Sequence, residues 1–246
     1  MKLPVAVQLY SLRHEMEHDF VGILEKVAEL GLDGVEFAGF GGLSAEELKG
    51  HLDRLGLVPV STHTGWKDLV ERYDETIAYH RTIGCKNIVI PGYGFPDEEA
   101  YATAVKIFNE IGRKLKADGF SFYYHNHGHE FTAKIHGKYI MEGLLEDCRE
   151  VDLLPEIDTY WAHEAGIDPA AFIRAHKPPL IHLKDGNGGN DLTAIGEGKN
   201  TITEILDAAV ETGVQWVIIE NDDPKPDGIT DLARSMENLK NKFHFN

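Results

Sequence analysis

Cysteine is scarce in this chain: Cys85 and Cys148 are the only two, and they share no close motif. That excludes a disulfide framework or a zinc ribbon and fits a reducing, cytoplasmic setting. Positive charge is also short, with 24 Lys and Arg against 41 Asp and Glu and a formal net charge of −17. Phosphate backbones and anionic membrane surfaces are held by clustered cations, so no nucleic acid and no membrane is expected as a partner. No apolar run approaches the roughly 18 residues that a membrane span needs. The N-terminal MKLPVAVQLYSLR is broken by Pro4 and Gln8 before it reaches the length of a signal-peptide core. No G-x-G-x-x-G follows Val5–Tyr10, so the opening strand does not lead into a dinucleotide fingerprint.

What is present is an ordinary globular composition, 42% apolar and 26% charged, over 246 residues. A chain of that length can bury a sizeable core without staples. Short β-rich apolar runs recur: VAVQLY at Val5, GVEF at Gly34, LVPVSTH at Leu57, NIVI at Asn87, FSFYYHN at Phe120, LLPEID at Leu153, LIHLK at Leu180 and WVIIE at Trp216. Near-continuous apolar runs are typical of strands buried on both faces, and parallel pairing of such strands needs a crossover between each pair.

The intervals read as helices. Phe20 to Leu30 has helical apolar spacing and ends at Gly31. Ser44 with Glu47 predicts a capping box, closed by Gly56. Asp97 to Asp118 carries Ala104, Val105, Phe108, Ile111 and Leu115. Thr201 with Glu204 predicts a second capping box, ended by Gly213, and Thr230 to Asn241 forms a terminal helix. Eight strand–helix units predict an α/β fold, a single (β/α)8 TIM barrel over residues 1–246. A doubly wound open sheet would have fewer strands and a Gly-rich first turn.

In such a barrel the active site lies at the C-terminal ends of the strands. Those ends carry Gln8, Glu36, His63, the stretch His125-Asn126-His127-Gly128-His129-Glu130, Asp158, then His182 with Lys184 and Asp185, and finally Glu220. Imidazoles and carboxylates converging on one point need a cation between them. Mixed His and carboxylate ligation suits Zn, Mn, Co or Fe(II) better than Ca or Mg, and Asp158, His182 and Glu220 form the core ligand set.

Taken singly, each residue has a plainer reading. His182 could be a hydrogen-bonded strand histidine, Glu220 a loop carboxylate, and Asp158 the N-cap of a short helix over Thr159–Glu164. Strand alternation lets His125 and His127 point inward together. Glu36 and His63 are either substrate contacts or packing. Lys184 either stabilises an oxyanion or pairs with Asp185. Trp161 and Tyr160 are a wall for a sugar ring or core. Gly186–Gly189 is a lid or a loop.

The stretches VQLYSLR, GVEFAG, YYHNHGHEF, EIDTYWAHEAGIDP, IHLKDG, IGEG and VIIEND, from Val7 to Asp222, resemble the sugar phosphate isomerase/epimerase group of xylose isomerase-like barrels, also called AP endonuclease family 2. The resemblance implies one divalent metal on residues ending strands five to eight, commonly Glu, Asp, His and Glu. Asp158, His182 and Glu220 match the last three. His125 stands at the first place, where the group has glutamate, and Glu130 lies five residues on. The favoured assignment is His125 as ligand and Glu130 as a catalytic or water-holding carboxylate, with Glu130 reaching back to the metal as the alternative.

The implied chemistry is isomerisation or epimerisation of a small keto sugar or cyclitol through a metal-held enediolate. Glu130, Glu220 or a histidine such as His127 moves the proton, Lys184 stabilises the oxyanion, and Glu36, His63 and Trp161 contact substrate. The missing glutamate leaves room for a lyase, either an inosose-type dehydratase or an eliminase of 3-keto glycosides. AP endonuclease activity is opposed by the net charge, and a non-catalytic sugar-binding barrel is the reading from another class. Homodimerisation is common in the group.

Overall fold

The computed structural model describes residues 3–245. The eight runs form eight parallel strands: β1 Val5–Gln8, β2 Gly34–Phe37, β3 Val58–His63, β4 Asn87–Ile90, β5 Ser121–His125, β6 Leu153–Asp158, β7 Leu180–Leu183 and β8 Trp216–Ile219. Each pairs with its neighbours in sequence, and β1 pairs with β8 as well as β2, so the sheet closes into a barrel. Closure leaves no free sheet edge.

The strands are apolar throughout because they face two cores. Val5, Val7, Phe37, Ile88, Tyr124, Ile181 and Val217 join helix residues such as Leu24, Leu48 and Phe108 in one buried cluster. The alternate residues Ala6, Val60, Val89, Tyr123, Leu180 and Ile218 form a second, smaller one inside the barrel. Two residues further along each strand the inner face becomes polar. Ala6 is followed by Gln8, Tyr123 by His125, Leu180 by His182 and Ile218 by Glu220, all buried. The period of two along a strand therefore stacks a titratable layer on an apolar floor.

β3 departs from that period. Val35 pairs with Pro59 but Glu36 pairs with Ser61, so Val60 is an extra residue. A bulge of this kind re-aims the residues after it. Val60 packs into the inner apolar cluster, yet Ser61 and His63 also reach the interior, where both meet Glu36.

Helix starts follow their caps. The Ser44–Glu47 capping box forms, and Gly56 ends that helix at φ 69°. The expected Thr201–Glu204 box does not: Thr201 precedes the helix Ile202–Thr212 but makes no side-chain cap. Its own backbone N–H is instead taken by the side-chain oxygen of Asn200. The last helix begins at Gly228 rather than Thr230, capped by Asp227. Between β3 and β4 lie two helices, Trp66–Glu71 and Tyr73–Ile83. They bury only Leu69, then Ile77, His80 and Ile83, too thin a stripe for apolar periodicity to reveal.

Candidate active site

His182 of β7 stands at the centre of the polar layer. Its Nδ1 is 2.9 Å from Glu220 Oε2, while its Nε2 is 2.7 Å from Glu36 Oε2 and 3.2 Å from Glu156 Oε2. His125 of β5 bridges the same two sides, with Nδ1 3.3 Å from Glu156 and Nε2 3.8 Å from Asp158 Oδ2. His63 lies 3.0 Å from Glu156 and 3.4 Å from Glu36. The ammonium of Lys184 is 2.9 Å from each of Asp158, Glu220 and Asp222.

Each side chain is placed by its neighbourhood. Asp158 ends β6 and caps the helix Thr159–Glu164, its Oδ1 accepting from the N–H groups of Tyr160 and Trp161. Asp158 therefore caps with one oxygen while the other, Oδ2, faces Lys184 and His125. Asn126 accepts from the Asp158 backbone N–H, and Thr159 donates to the His182 carbonyl, tying β5, β6 and β7 together at the site. Lys184 does not pair with Asp185. The Asp185 carboxylate accepts from the backbone N–H groups of Gly186, Gly196, Gly198 and Asn200, which leaves the lysine to the site.

Four buried carboxylates, Glu36, Glu156, Asp158 and Glu220, share one permanent cation, Lys184. Burial opposes charge on His182, but Glu36, Glu156 and Glu220 outweigh it and hold its pKa well above the usual range. The same balance, with Glu36 and Glu156 as partners, raises His63. Burial and the neighbouring Glu156 charge push Glu36 up. Burial, aided by the charge on His182, pushes His125 down to about 3, so its imidazole stays neutral.

Among the described residues, two groups of four bring possible metal-ligand atoms within 4.8 Å of one another: His125, Asp158, His182 and Glu220, and His63, His125, Glu156 and His182. Several of these atoms lie close together without hydrogen-bond alignment. His125 Nδ1, Glu156 Oε1, Asp158 Oδ2 and His182 Nε2 are buried and have no hydrogen-bond partner. Of the lysine contacts, only that to Asp222 is aligned. Orphaned polar atoms in an interior are costly, and donor atoms that converge without bonding each other suit a shared cation. Two imidazoles with two carboxylates fit a first-row divalent ion.

A cavity of about 470 Å³ opens above, walled by Tyr10, His63, His125, His127, Lys184 and Glu220 among others. His127 is exposed there, its ring 5.3 Å from that of His125. Glu130 is outside both groups. Its carboxylate accepts from the Tyr124 hydroxyl and the His127 backbone N–H, so it holds the turn after β5 rather than reaching back to the cluster. Glu36 is fully buried beneath the cluster, bonded by Gln8 and Ser61, and does not wall the cavity. Trp161 does not wall it either. Its ring lies 5.6 Å from the Lys184 ammonium. Gly188 and Gly189 are pinned to the Tyr160 hydroxyl, which makes Gly186–Gly189 a tethered loop.

Sequence reasoning passed over Glu156. It sits two residues before Asp158 on β6, so strand alternation puts both on the inner face, and that spacing was the available signal.

Residues 24–242 match the family model described as xylose isomerase-like TIM barrel, and the chain belongs to that family. No curated protein matches the sequence. Among solved structures, a sugar phosphate isomerase/epimerase from Parabacteroides distasonis superposes with a TM-score of 0.82 at 23% identity, over 98% of this chain and 94% of its own. An L-ribulose 3-epimerase reaches 0.74 at 14% identity, over 98% and 95%. A probable 3-DHS dehydratase from Bacillus anthracis reaches 0.76 at 13% identity, over 98% and 100%. At these identities the likeness is one of fold.

Proposed function

From that membership and from the cavity's titratable floor, we propose that the chain is a divalent-metal-dependent isomerase or epimerase. Its substrate is a small keto sugar or cyclitol, and it moves a proton on the carbon beside a carbonyl. The observation that carries this is the convergence of His125, Asp158, His182 and Glu220, the first three each with a buried polar atom that lacks a hydrogen-bond partner, at the base of an open cavity. These four residues would hold the ion, of Zn, Mn, Co or Fe(II) type. When bound, the ion polarises the substrate carbonyl and eases loss of the neighbouring proton.

The chain's own groups supply the rest. Asp158, Glu220 and Asp222 outweigh the burial penalty on Lys184 and hold its pKa well above the usual range, so a fixed ammonium faces the place where oxyanion charge develops. Glu220 stays ionised, since Lys184 and His182 outweigh burial and keep it well below the carboxylate range, and it serves as a ligand more than as a base. His127 walls the cavity with no hydrogen bond to its ring, and it carries the proton. Glu130 positions His127 through the turn.

One observation favours a lyase of the same fold. Epimerisation needs proton carriers on both faces of one carbon, and β5 brings imidazoles to the cavity where a carboxylate would serve. An imidazolium at His127 could instead protonate a departing β-oxygen.

Elemental analysis of wild type and Asp158→Ala, alongside deuterium wash-in from D2O into 3-keto-glucose and an inosose, tests the proposal. The expected result is about one divalent ion per chain, absent from the variant, with wash-in by wild type. A metal-free wild type after soaking in Mn, Co and Zn would overturn it.

A further inference from the structure

We propose that the catalytic cavity continues into a second subsite for an uncharged hexopyranose ring, so that the substrate is a two-ring glycoside rather than a free or phosphorylated monosaccharide. This rests on the keto-carbohydrate reading above and narrows it.

The cavity over the cluster, about 470 Å³, adjoins another of about 450 Å³, and the two share Ala38 and His63 as walls. Each alone falls within the roughly 300–1,000 Å³ of a small-molecule site. Ala38 is exposed and follows β2 directly, so on that side the shared wall is a methyl group. His63 is common to both cavities and is fixed from beneath by Glu156.

The outer cavity is built from the loop after β2 and the two helices between β3 and β4. Phe40 and Tyr79 form its aromatic side, their rings stacked 4.2 Å apart at 25°. The Tyr79 hydroxyl is spent on the Leu43 carbonyl, which holds that ring in place. Asp68, Arg72, Glu75 and Thr76 complete its lining, Glu75 and Thr76 lying on the same helix as Tyr79. Arg72 is the one Lys or Arg there, and it is already paired with Asp68. His80 is no cation either. Burial lowers its pKa, and its nitrogens are taken by the Thr62 hydroxyl and the Thr76 carbonyl.

With Arg72 paired to Asp68 and His63 held by Glu36 and Glu156, a phosphate would meet two carboxylates and no unpaired positive charge. A hexopyranose matches better. Its C–H face lies against aromatic carbon, and its hydroxyls donate to carboxylates and accept from a guanidinium.

The test is calorimetric binding to the metal-loaded protein with four probes: glucose, glucose 6-phosphate, cellobiose and maltose. At least one disaccharide is expected to bind ten-fold or more tighter than glucose, and glucose 6-phosphate no tighter than glucose. Thr76→Trp, which fills the outer cavity, and the exposed Arg72→Ala should each remove the disaccharide's advantage over glucose. Equal affinity for one and two rings, tightest binding of glucose 6-phosphate, or no binding by any probe would each overturn the subsite. Metal content and deuterium wash-in judge the parent reading separately, so one can fail while the other stands.

Discussion

Asp158 shows how one residue serves fold and site together. Its Oδ1 caps a helix while its Oδ2 is free for the cluster. Asp158→Asn is therefore expected to lose the metal yet keep the cap, whereas Asp158→Ala loses both and a further ~0.5–2 kcal/mol of stability. Elemental analysis with thermal melts of the metal-free proteins separates the two. His125 carries a pH signature. Its folded pKa, about 3, lies below the usual 6.5, so its contribution is fully present above pH 6.5 and is lost as pH falls towards 3. Melting temperature in EDTA should decline over that window, less steeply in His125→Asn. His182 titrates in the other direction. Glu36, Glu156 and Glu220 outweigh its burial and keep it protonated in the metal-free protein, and a ligand must be neutral. Metal uptake is thus expected to release protons, and affinity to weaken as pH falls, which calorimetry in buffers of different ionisation enthalpy would register. Uptake without proton release contradicts this.

At the scale of elements, the site depends on short connections as much as on strands. The turn after β7 is closed by Asp185 accepting four backbone N–H groups. Gly198 passes so close that a Cβ there would lie 2.3 Å from Asp185 Oδ1 and 2.4 Å from the Gly186 nitrogen. Gly198→Ala should cost about 1–3 kcal/mol, the usual price of overpacking, and a melting temperature that does not move by several degrees would refute the account. The eight strands and the helices with strong caps were legible in the sequence, because apolar runs and the Ser44–Glu47 pair are local signals. The helices Trp66–Glu71 and Tyr73–Ile83 were not, since so few of their residues are buried. They are the elements that wall the outer cavity.

At the scale of the whole molecule, the net charge of −17 surrounds a cavity whose floor is itself acidic. The chain is expected to pass through heparin unretained at low salt, and retention would reopen the question of a nucleic-acid partner. No helix among the described residues is long and apolar enough to cross a membrane. Barrel closure brings β1 beside β8 and so sets Glu36, near the start of the chain, against His182, whose other nitrogen meets Glu220 near its end. A divalent ion held at that junction, as proposed, would tie several strands at once. Saturating Mn or Zn should raise the melting temperature of wild type and leave Asp158→Ala unmoved.

By itself the sequence determined the number of strands, their order and the residues at their C-terminal ends, because hydrophobic period and chain spacing are local properties. Asp158, His182 and Glu220 were readable as a group for that reason. The tertiary structure decided what each of them faces. A one-residue bulge turned Ser61 and His63 inward, the loop from Gly186 to Asn200 claimed Asp185 and freed Lys184, and Tyr124 with the His127 backbone drew Glu130 away. Glu156 joined the cluster through contacts with residues on three other strands. Such outcomes depend on which backbone N–H groups and charges lie nearby in space, and only the closed barrel brings those neighbours together.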